Sequence, residues 1–559
     1  MKQNILCVTA LVETSPQALP LGAACICSSI NHFAETKDTF SAKVFDFSLE
    51  DTLDLESIAE SICSKENLYA VCFSVYVWNR NVLEELAAIV KSKNPQIITL
   101  AGGPEVTANP YGFKSFDYLA CGEGEHSVVE LLSMLYQGQK PDLQGIYKNH
   151  EASAGSKLGA QRSMPCPVEN LTSPYLDGTL DVKKYGGALW ELARGCPFKC
   201  SYCYESKGEK KIKCFPMERI KKELEYFKAN KVPQVFVLDP TYNANKNRAL
   251  EILQLIKKIT PDTFYYFEAR AEFIDRQLAK AFAEIPCCLQ FGLQSADEEV
   301  LKKVNRTFNK KAFQKNIGYL NETGAVFGFD LIYGLPGDTF KGFKNSIDFA
   351  LSLYPNNLEL FCLAVLPGTD LADKAEELGL TWQKEAPYLV TDSTSFHKDG
   401  IERAKNYSRC INYFYNDGRA VPWFLNLLRP LKLKPSEFFS EFEKFCMHNG
   451  IDLEDKDFAR ITKVQEEFIA KAYTDRHLEK LIPAAKDLIA MNNALSLVTA
   501  EGKESLVELS YHPDDLMSEY GTDIVFFAQN AGRHRNKTKV FATRNGPDWQ
   551  VLKAKVNAL

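Results

Sequence analysis

Short apolar runs alternate, through the first 385 residues, with stretches whose apolar positions recur every three or four residues. That alternation is the signature of strands followed by amphipathic helices. Over residues 1–138 it predicts strands at Ile5–Ala10, Lys43–Phe47, Ala70–Val75, Gln96–Leu100 and Tyr118–Ala120, with helices at Leu21–Asn31, Leu55–Cys63, Val82–Ser92 and Ser127–Tyr136. Five such β–α units predict a doubly wound parallel sheet. Residues 139–181, rich in Gly, Ser, Pro and Asn, read as a connector with a short strand near Gly145–Tyr147. If the two flanking domains face each other, this connector is expected over the mouth of the second.

The rhythm resumes over residues 182–385. Strands are predicted at Ala188–Ala193, Gln234–Leu238, Phe264–Phe267, Cys288–Leu293, Val326–Tyr333 and Leu358–Val365. Helices are predicted at Met217–Lys228, Arg248–Ile259, Asp275–Glu284, Lys310–Glu322 and Lys341–Leu353. Six units of this kind predict a partial (β/α)6 barrel, whose chemistry gathers where strands end. From residue 386 the pattern turns mainly helical, at Arg403–Tyr415, Pro435–His448, Phe458–Tyr473 and His477–Ala494. It ends in strand-like runs at Ser505–Tyr511, Asp523–Phe527 and Lys539–Thr543. The fold class is therefore α/β with a mainly helical C-terminal domain ending in short strands.

Composition changes this picture little. The chain has 559 residues, 45% hydrophobic and 25% charged, with a formal net charge of −6, so no nucleic-acid partner is expected. No apolar run approaches the ~20 residues of a membrane span. The apolar piece Ile5–Val12 lacks a small-residue cleavage site and reads as a buried strand, so the expected location is the cytoplasm. Sixteen cysteines in so large a chain do not suggest a disulfide framework. Cys7, Cys25, Cys27, Cys72, Cys288 and Cys362 sit in apolar runs and read as buried thiols. The basic closing segment, with Arg533, Arg535, Lys537, Lys539 and Arg544, reads as a solvated face. The scattered His397, His448, His477, His512 and His534 read as structural or exposed.

One group of cysteines differs. Cys196, Cys200 and Cys203 stand at Cys-x3-Cys-x2-Cys spacing, in a segment whose Gly195 and Pro197 favour a loop over a helix. A structural zinc site or a ferredoxin-type cluster wants four ligands. The next cysteine, Cys214, lies 11 positions on, so either site would have to recruit a ligand from elsewhere. Three thiolates on a 4Fe–4S cluster leave one iron open, as a catalytic cluster requires. The later strand edges carry Asp239-Pro240-Thr241, Glu268-Ala269-Arg270, Gly292-Leu293-Gln294-Ser295, Gly334-Leu335-Pro336-Gly337-Asp338 and Leu366-Pro367-Gly368-Thr369.

The cysteine motif, with aromatic Tyr202 before its last member, and this order of edges resemble the radical S-adenosylmethionine (SAM) family. The resemblance implies a 4Fe–4S cluster on Cys196, Cys200 and Cys203, whose open iron chelates SAM and whose electron yields a 5′-deoxyadenosyl radical. It implies SAM contacts at Asp239, Glu268, Arg270, Gln294, Ser295 and Gly334, with Tyr202 near the adenine. Taken singly, these residues also suit helix caps, surface ion pairs or a tight turn.

The N-terminal sheet is flavodoxin-like and lacks a Gly-x-Gly-x-x-Gly or Walker loop in its first βα turn, which argues against a nucleotide. Its edges are Ser74-Val75-Tyr76-Val77-Trp78, Gly102-Gly103-Pro104 and Gly122-Glu123-Gly124-Glu125. Placed before a radical SAM core, they resemble the cobalamin-binding domain of cobalamin-dependent radical SAM proteins, some of which carry a C-terminal extension. Cobalamin is then expected at Ser74, Tyr76, Trp78, Gly102, Gly103, Pro104, Gly122, Glu123 and Gly124. The Asp-x-His-x-x-Gly motif is missing, and Leu11–Pro20 contains no His. The resemblance therefore places Tyr76 or Trp78, rather than an imidazole, near the corrin's lower face; core packing is the competing role of both rings.

The implied activity is methyl transfer to an unactivated carbon or a phosphinate centre of an unidentified small molecule or peptide. Alternatives are radical cyclisation or rearrangement without methyl transfer, and a non-catalytic cobalamin or redox sensor. The family draws its electron from a donor such as flavodoxin or ferredoxin. No residue stands out as the general acid or base.

Overall fold

The computed structural model describes residues 2–149, 166–207, 211–544 and 546–552. The first sheet contains β1 (Gln3–Leu11), β2 (Phe40–Ser48), β3 (Leu68–Ser74), β4 (Ile98–Gly102), β5 (Tyr118–Ala120) and β6 (Ile146–Lys148), in the order β2-β1-β3-β4-β5-β6. The first five strands run parallel. Helices Leu21–His32 and Gly124–Tyr136 cover one face, and Leu55–Cys63 and Arg80–Lys93 the other. Along β1, Ile5 and Cys7 enter one core while Leu6, Val8 and Ala10 enter the other. Burial on both faces explains why the strand reads as an unbroken apolar run.

The short strand expected in the connector belongs to this sheet. It pairs antiparallel with β5 through Ala120 and Ile146, and Cys121 N–H donates to the Gly145 carbonyl. Residues 150–165 of the connector lie outside the described residues.

The second sheet is wholly parallel. It contains β7 (Ala188–Trp190), β10 (Gln234–Val237), β11 (Phe264–Ala269), β12 (Cys287–Gln294), β13 (Val326–Tyr333) and β14 (Asn357–Cys362), each beside the next in the chain. Between its first two strands the chain makes a small antiparallel pair, β8 (Ala193–Arg194) with β9 (Lys213–Cys214). The predicted first strand, Ala188–Ala193, therefore stops early. The Leu192 and Ala193 N–H groups bond Asp239 Oδ1 and cannot continue the ladder.

A hairpin, β15 (Leu380–Trp382) and β16 (Val390–Ser393), leads to helices Lys398–Ile411, Pro435–Asn449, Phe458–Thr474 and Ile482–Glu501. Phe414 lies at their centre, with ring contacts to Trp423, Phe438, Phe442 and Phe468. One apolar core runs from the barrel into these helices without a break. The last sheet is β17 (Ser505–Tyr511), β18 (Arg533–Thr543) and β19 (Gly546–Leu552). The predicted strand Asp523–Phe527 is instead the start of helix Ile524–Asn530. Asp523 caps it by accepting from the Val525 and Phe526 N–H groups, and Ile524 and Phe527 share its buried face. Among the described residues, no helix is long and apolar enough to cross a membrane.

Candidate active site

The cysteine loop leaves β8 through Gly195, whose φ of +93° suits a residue without a Cβ. Two backbone bonds fix the loop's middle: Ser201 N–H donates to the Val304 carbonyl at 3.0 Å, and Leu371 N–H donates to the Ser201 carbonyl at 2.8 Å. Cys200 is buried, and Cys196 and Cys203 are half-buried. Burial pushes the Cys203 thiol up to about 11, and the nearby Cys200 and Cys196 add to the rise. Burial also raises Cys196, again with Cys200 contributing. The three sulfurs thus share one electrostatic neighbourhood. Among the described residues no group of three His, Cys, Asp or Glu side chains is arranged to hold a single ion.

Arg306 was not foreseen from the sequence. One of its guanidinium nitrogens donates to Tyr202 Oη at 3.4 Å and Cys200 Sγ at 3.7 Å, and the other to the Gly292 carbonyl. Burial holds the Tyr202 hydroxyl well above its usual range, so it stays neutral. Gln294 ends β12 in a bulge with φ of +66° and a buried Oε1 that has no hydrogen-bond partner. Arg270 lies 3.8 Å over the Phe198 ring of the cysteine loop, pairs with Glu272 at 2.7 Å, and leaves its buried Nε unpartnered. Native structures leave few such atoms unsatisfied, so this rim fits a polar ligand.

Three other residues expected at SAM have partners within the protein. Ser295 is buried, bonds Ser346 and accepts from the Asp297 N–H, so its hydroxyl supports a helix entry. Gly334 lies beneath Ile401 and Val390, against the C-terminal region. Asp239 clamps the strand that enters the cysteine loop, accepting from Leu192 and Ala193 N–H at 2.9 and 3.0 Å.

Burial pushes Asp239 up to about 7, and its two backbone bonds only partly offset that rise. Because the folded value exceeds the unfolded one, the folded state holds this proton more tightly, and stability falls as pH rises from about 4 towards 7. Asp239→Asn keeps the acceptor without the charge. Thermal melts should show it losing this slope and matching or exceeding the wild type at pH 8. Asp239→Ala orphans two buried N–H groups and should be about 2–3 kcal/mol less stable than Asp239→Asn at both ends of the range. Equal melting of the two variants would refute the clamp.

The barrel lumen is lined by the strand positions that alternate with the core. Phe236 and Tyr266 stack at 4.2 Å between ring centroids. Beyond them Glu268 stands beside Gln290, and Asp330 beside Glu359. Surrounding protein pushes Glu268 up to about 8, with the Asp330 charge adding. Asp330 rises to about 6 through burial, although Gln290 donates to it at 2.6 Å.

The N-terminal sheet presents its C-terminal edges towards the barrel. Asn79 ties the loop after β3 to β1, donating to Thr9 Oγ1 and to the Ala10 and Ser74 carbonyls, and accepting from Tyr76 N–H. Gly103, at φ of +111°, approaches so closely that a Cβ there would stand 2.5 Å from the Val75 carbonyl oxygen. Gly102 pairs across to Ala120, Pro104 opens helix Pro104–Ala108, and Gly122 N–H donates to Thr107 Oγ1. Gly124 begins the helix that follows Glu123, close to Ile26. Tyr76 and Trp78 stack at 4.5 Å; Trp78 is 46% exposed, and burial pushes Tyr76 up to about 12. An exposed ring on a glycine-rich edge fits a broad, flat ligand. Glu123 is engaged with Arg194 of the barrel at 3.1 Å. Arg80, Glu105 and Tyr388 make a second contact between the two regions. In a third, Gly368 lies against Ala108 and Tyr204.

Residues 19–132 match the family model described as "B12 binding domain", and residues 190–350 match the "Radical SAM superfamily". The cobalamin-dependent radical SAM methyltransferase TokK of Streptomyces tokunonensis is 27% identical over 61% of this chain and 53% of its own length. The 2-(S-pantetheinyl)-carbapenam-3-carboxylate methyltransferase of Streptantibioticus cattleyicolor is 28% identical over 54% of this chain and 47% of its own. The chain thus spans about half the length of these relatives. Among solved structures, the cobalamin-dependent SAM radical enzyme OxsB with aqua-cobalamin bound has a TM-score of 0.60 at 13% identity, covering 85% of this chain and 80% of that one. The radical SAM methyltransferase TsrM of Kitasatospora setae, with cobalamin and [4Fe-4S] cluster bound, has a TM-score of 0.55 at 16% identity, covering 70% of this chain and 79% of that one. At these identities the likeness is one of fold.

Proposed function

We propose that this chain, which joins a B12-binding domain to a radical SAM domain, is a cobalamin-dependent radical SAM methyltransferase acting on an unactivated carbon. The observation that carries the proposal is the meeting of two edges. The loop bearing Cys196, Cys200 and Cys203 sits where the barrel faces the glycine-rich edge of the N-terminal sheet. When bound, the cluster and SAM supply a hydrogen-abstracting radical and cobalamin supplies a methyl group that a carbon radical can accept.

The three cysteines hold the cluster. Arg306 and Arg270 place cations beside the loop, where the carboxylate of SAM needs them, and Gln294 offers an unmet amide oxygen. Gly103, Tyr76 and Trp78 shape the edge for the corrin. Glu268, Asp330 and Glu359 line the lumen in which a substrate would be oriented. A flavodoxin- or ferredoxin-type protein supplies the electron.

The test is anaerobic reconstitution with iron, sulfide and hydroxocobalamin, followed by SAM and a reductant. 5′-Deoxyadenosine reports radical formation, and S-adenosylhomocysteine reports loss of the methyl group. Both are expected, the second only when corrin is present. The first without the second would point to cyclisation or rearrangement; neither would point to a sensor.

A further inference from the structure

We infer that Arg194 is a positioning residue that locks the cysteine loop to the Gly122-Glu123-Gly124-Glu125 edge and so sets the separation between the two cofactors. The inference rests on the function proposed above.

Arg194 is the last residue of β8, two positions before Cys196. Its side chain is 13% exposed and bonds three carboxylates. Its Nε and one terminal nitrogen make a two-pronged contact with Glu191 of its own strand edge, at 2.8 and 3.0 Å. The terminal nitrogens also reach across to the N-terminal domain, to Glu123 at 3.1 Å and Glu125 at 2.7 Å. A planar guanidinium can satisfy three acceptors in fixed directions; a lysine ammonium is a point charge on a flexible stem. Glu125 and Glu123 belong to the first turn and the N-cap of helix Gly124–Tyr136, so they are held on a rigid element.

Only Gly195 separates Arg194 from the first cluster cysteine. A shift of the guanidinium is therefore transmitted to Cys196 through one residue. Beyond the last cysteine, Tyr204 and Ala108 of the N-terminal domain both lie against Gly368. Methyl transfer between two bound groups is sensitive to displacements of about 1 Å, which can cost ~100-fold in rate. An ordinary surface ion pair would not place a buried fork on three carboxylates at this junction.

The test uses the full chain, reconstituted with iron, sulfide and hydroxocobalamin, in Arg194→Gln, Arg194→Lys, Glu125→Gln and the Gln/Gln double variant. Arg194→Gln should retain its iron and bind hydroxocobalamin about 10-fold more weakly. The magnetic coupling between cob(II)alamin and the reduced cluster, read by electron paramagnetic resonance, should change in Arg194→Gln and fall between the two in Arg194→Lys. Glu125→Gln should reproduce the effect from the other side, and the double variant should be no worse than the worse single. If Arg194→Gln does not fold, Glu125→Gln alone decides by the same two readouts. Unchanged corrin affinity and coupling, or strictly additive losses, would overturn the inference. A wild-type chain that binds no hydroxocobalamin would instead overturn the proposed function.

Discussion

Replacing Cys196, Cys200 or Cys203 singly by alanine is expected to abolish both the iron–sulfur chromophore and the formation of 5′-deoxyadenosine. If each of the three thiols holds one iron, loss of one leaves two anchors for the cluster. The effect should exceed the ~100-fold cost of losing a residue that merely orients a metal ligand. Cys214 provides the control. It is exposed and paired into β9, outside the Cys-x3-Cys-x2-Cys spacing. A four-ligand zinc or ferredoxin-type site would recruit it, whereas an open-iron cluster would not. Cys214→Ala should therefore keep its iron and its SAM cleavage. Iron and sulfide analysis, visible spectra and chromatography of the SAM products decide between the two. Cleavage retained in any of the three loop variants would break the assignment.

Arg306→Ala is expected to weaken SAM binding about 10- to 100-fold, the range of one or two charge-assisted hydrogen bonds. The side chain touches Cys200, Tyr202 and the Gly292 carbonyl at once, and so stands between the cysteine loop and the fourth barrel strand. Its removal takes away a cation beside the cysteine loop and leaves the Gly292 carbonyl without that donor. Equilibrium dialysis with SAM on the reconstituted protein measures the loss, and iron analysis shows that the cluster is still present. Arg306→Lys should recover part of the affinity, because charge is kept while the fork is lost. Wild-type affinity in Arg306→Ala would remove this residue from the SAM site.

Much of the fold was legible because burial leaves a periodic trace. Strands Tyr118–Ala120, Val326–Tyr333 and Ser505–Tyr511 and helix Leu55–Cys63 have the same bounds in sequence pattern and structure. The misreadings came where a side chain overrode the local pattern. Asp523 turns an apolar run into a helix by capping it, and Asp239 ends β7 by taking the two N–H groups that would have extended it. The edge strand Ile146–Lys148 was visible as a strand, but its partner was not.

The sequence by itself determined the spacing of Cys196, Cys200 and Cys203, the order of the strand edges and the glycine-rich edges upstream, since these depend on residues close together in the chain. Only the tertiary structure decided what meets the cysteine loop. Arg306 reaches Cys200 across 106 positions, and Arg194 reaches Glu125 across 69. Such pairs leave no periodicity, because neither partner's local conformation depends on the other. They arise when separate sheets bring their C-terminal edges together. For the same reason Asp239 and Ser295, legible as polar edge residues, proved to be bonded within the scaffold, while Arg306, unremarked in its own segment, stands at the loop.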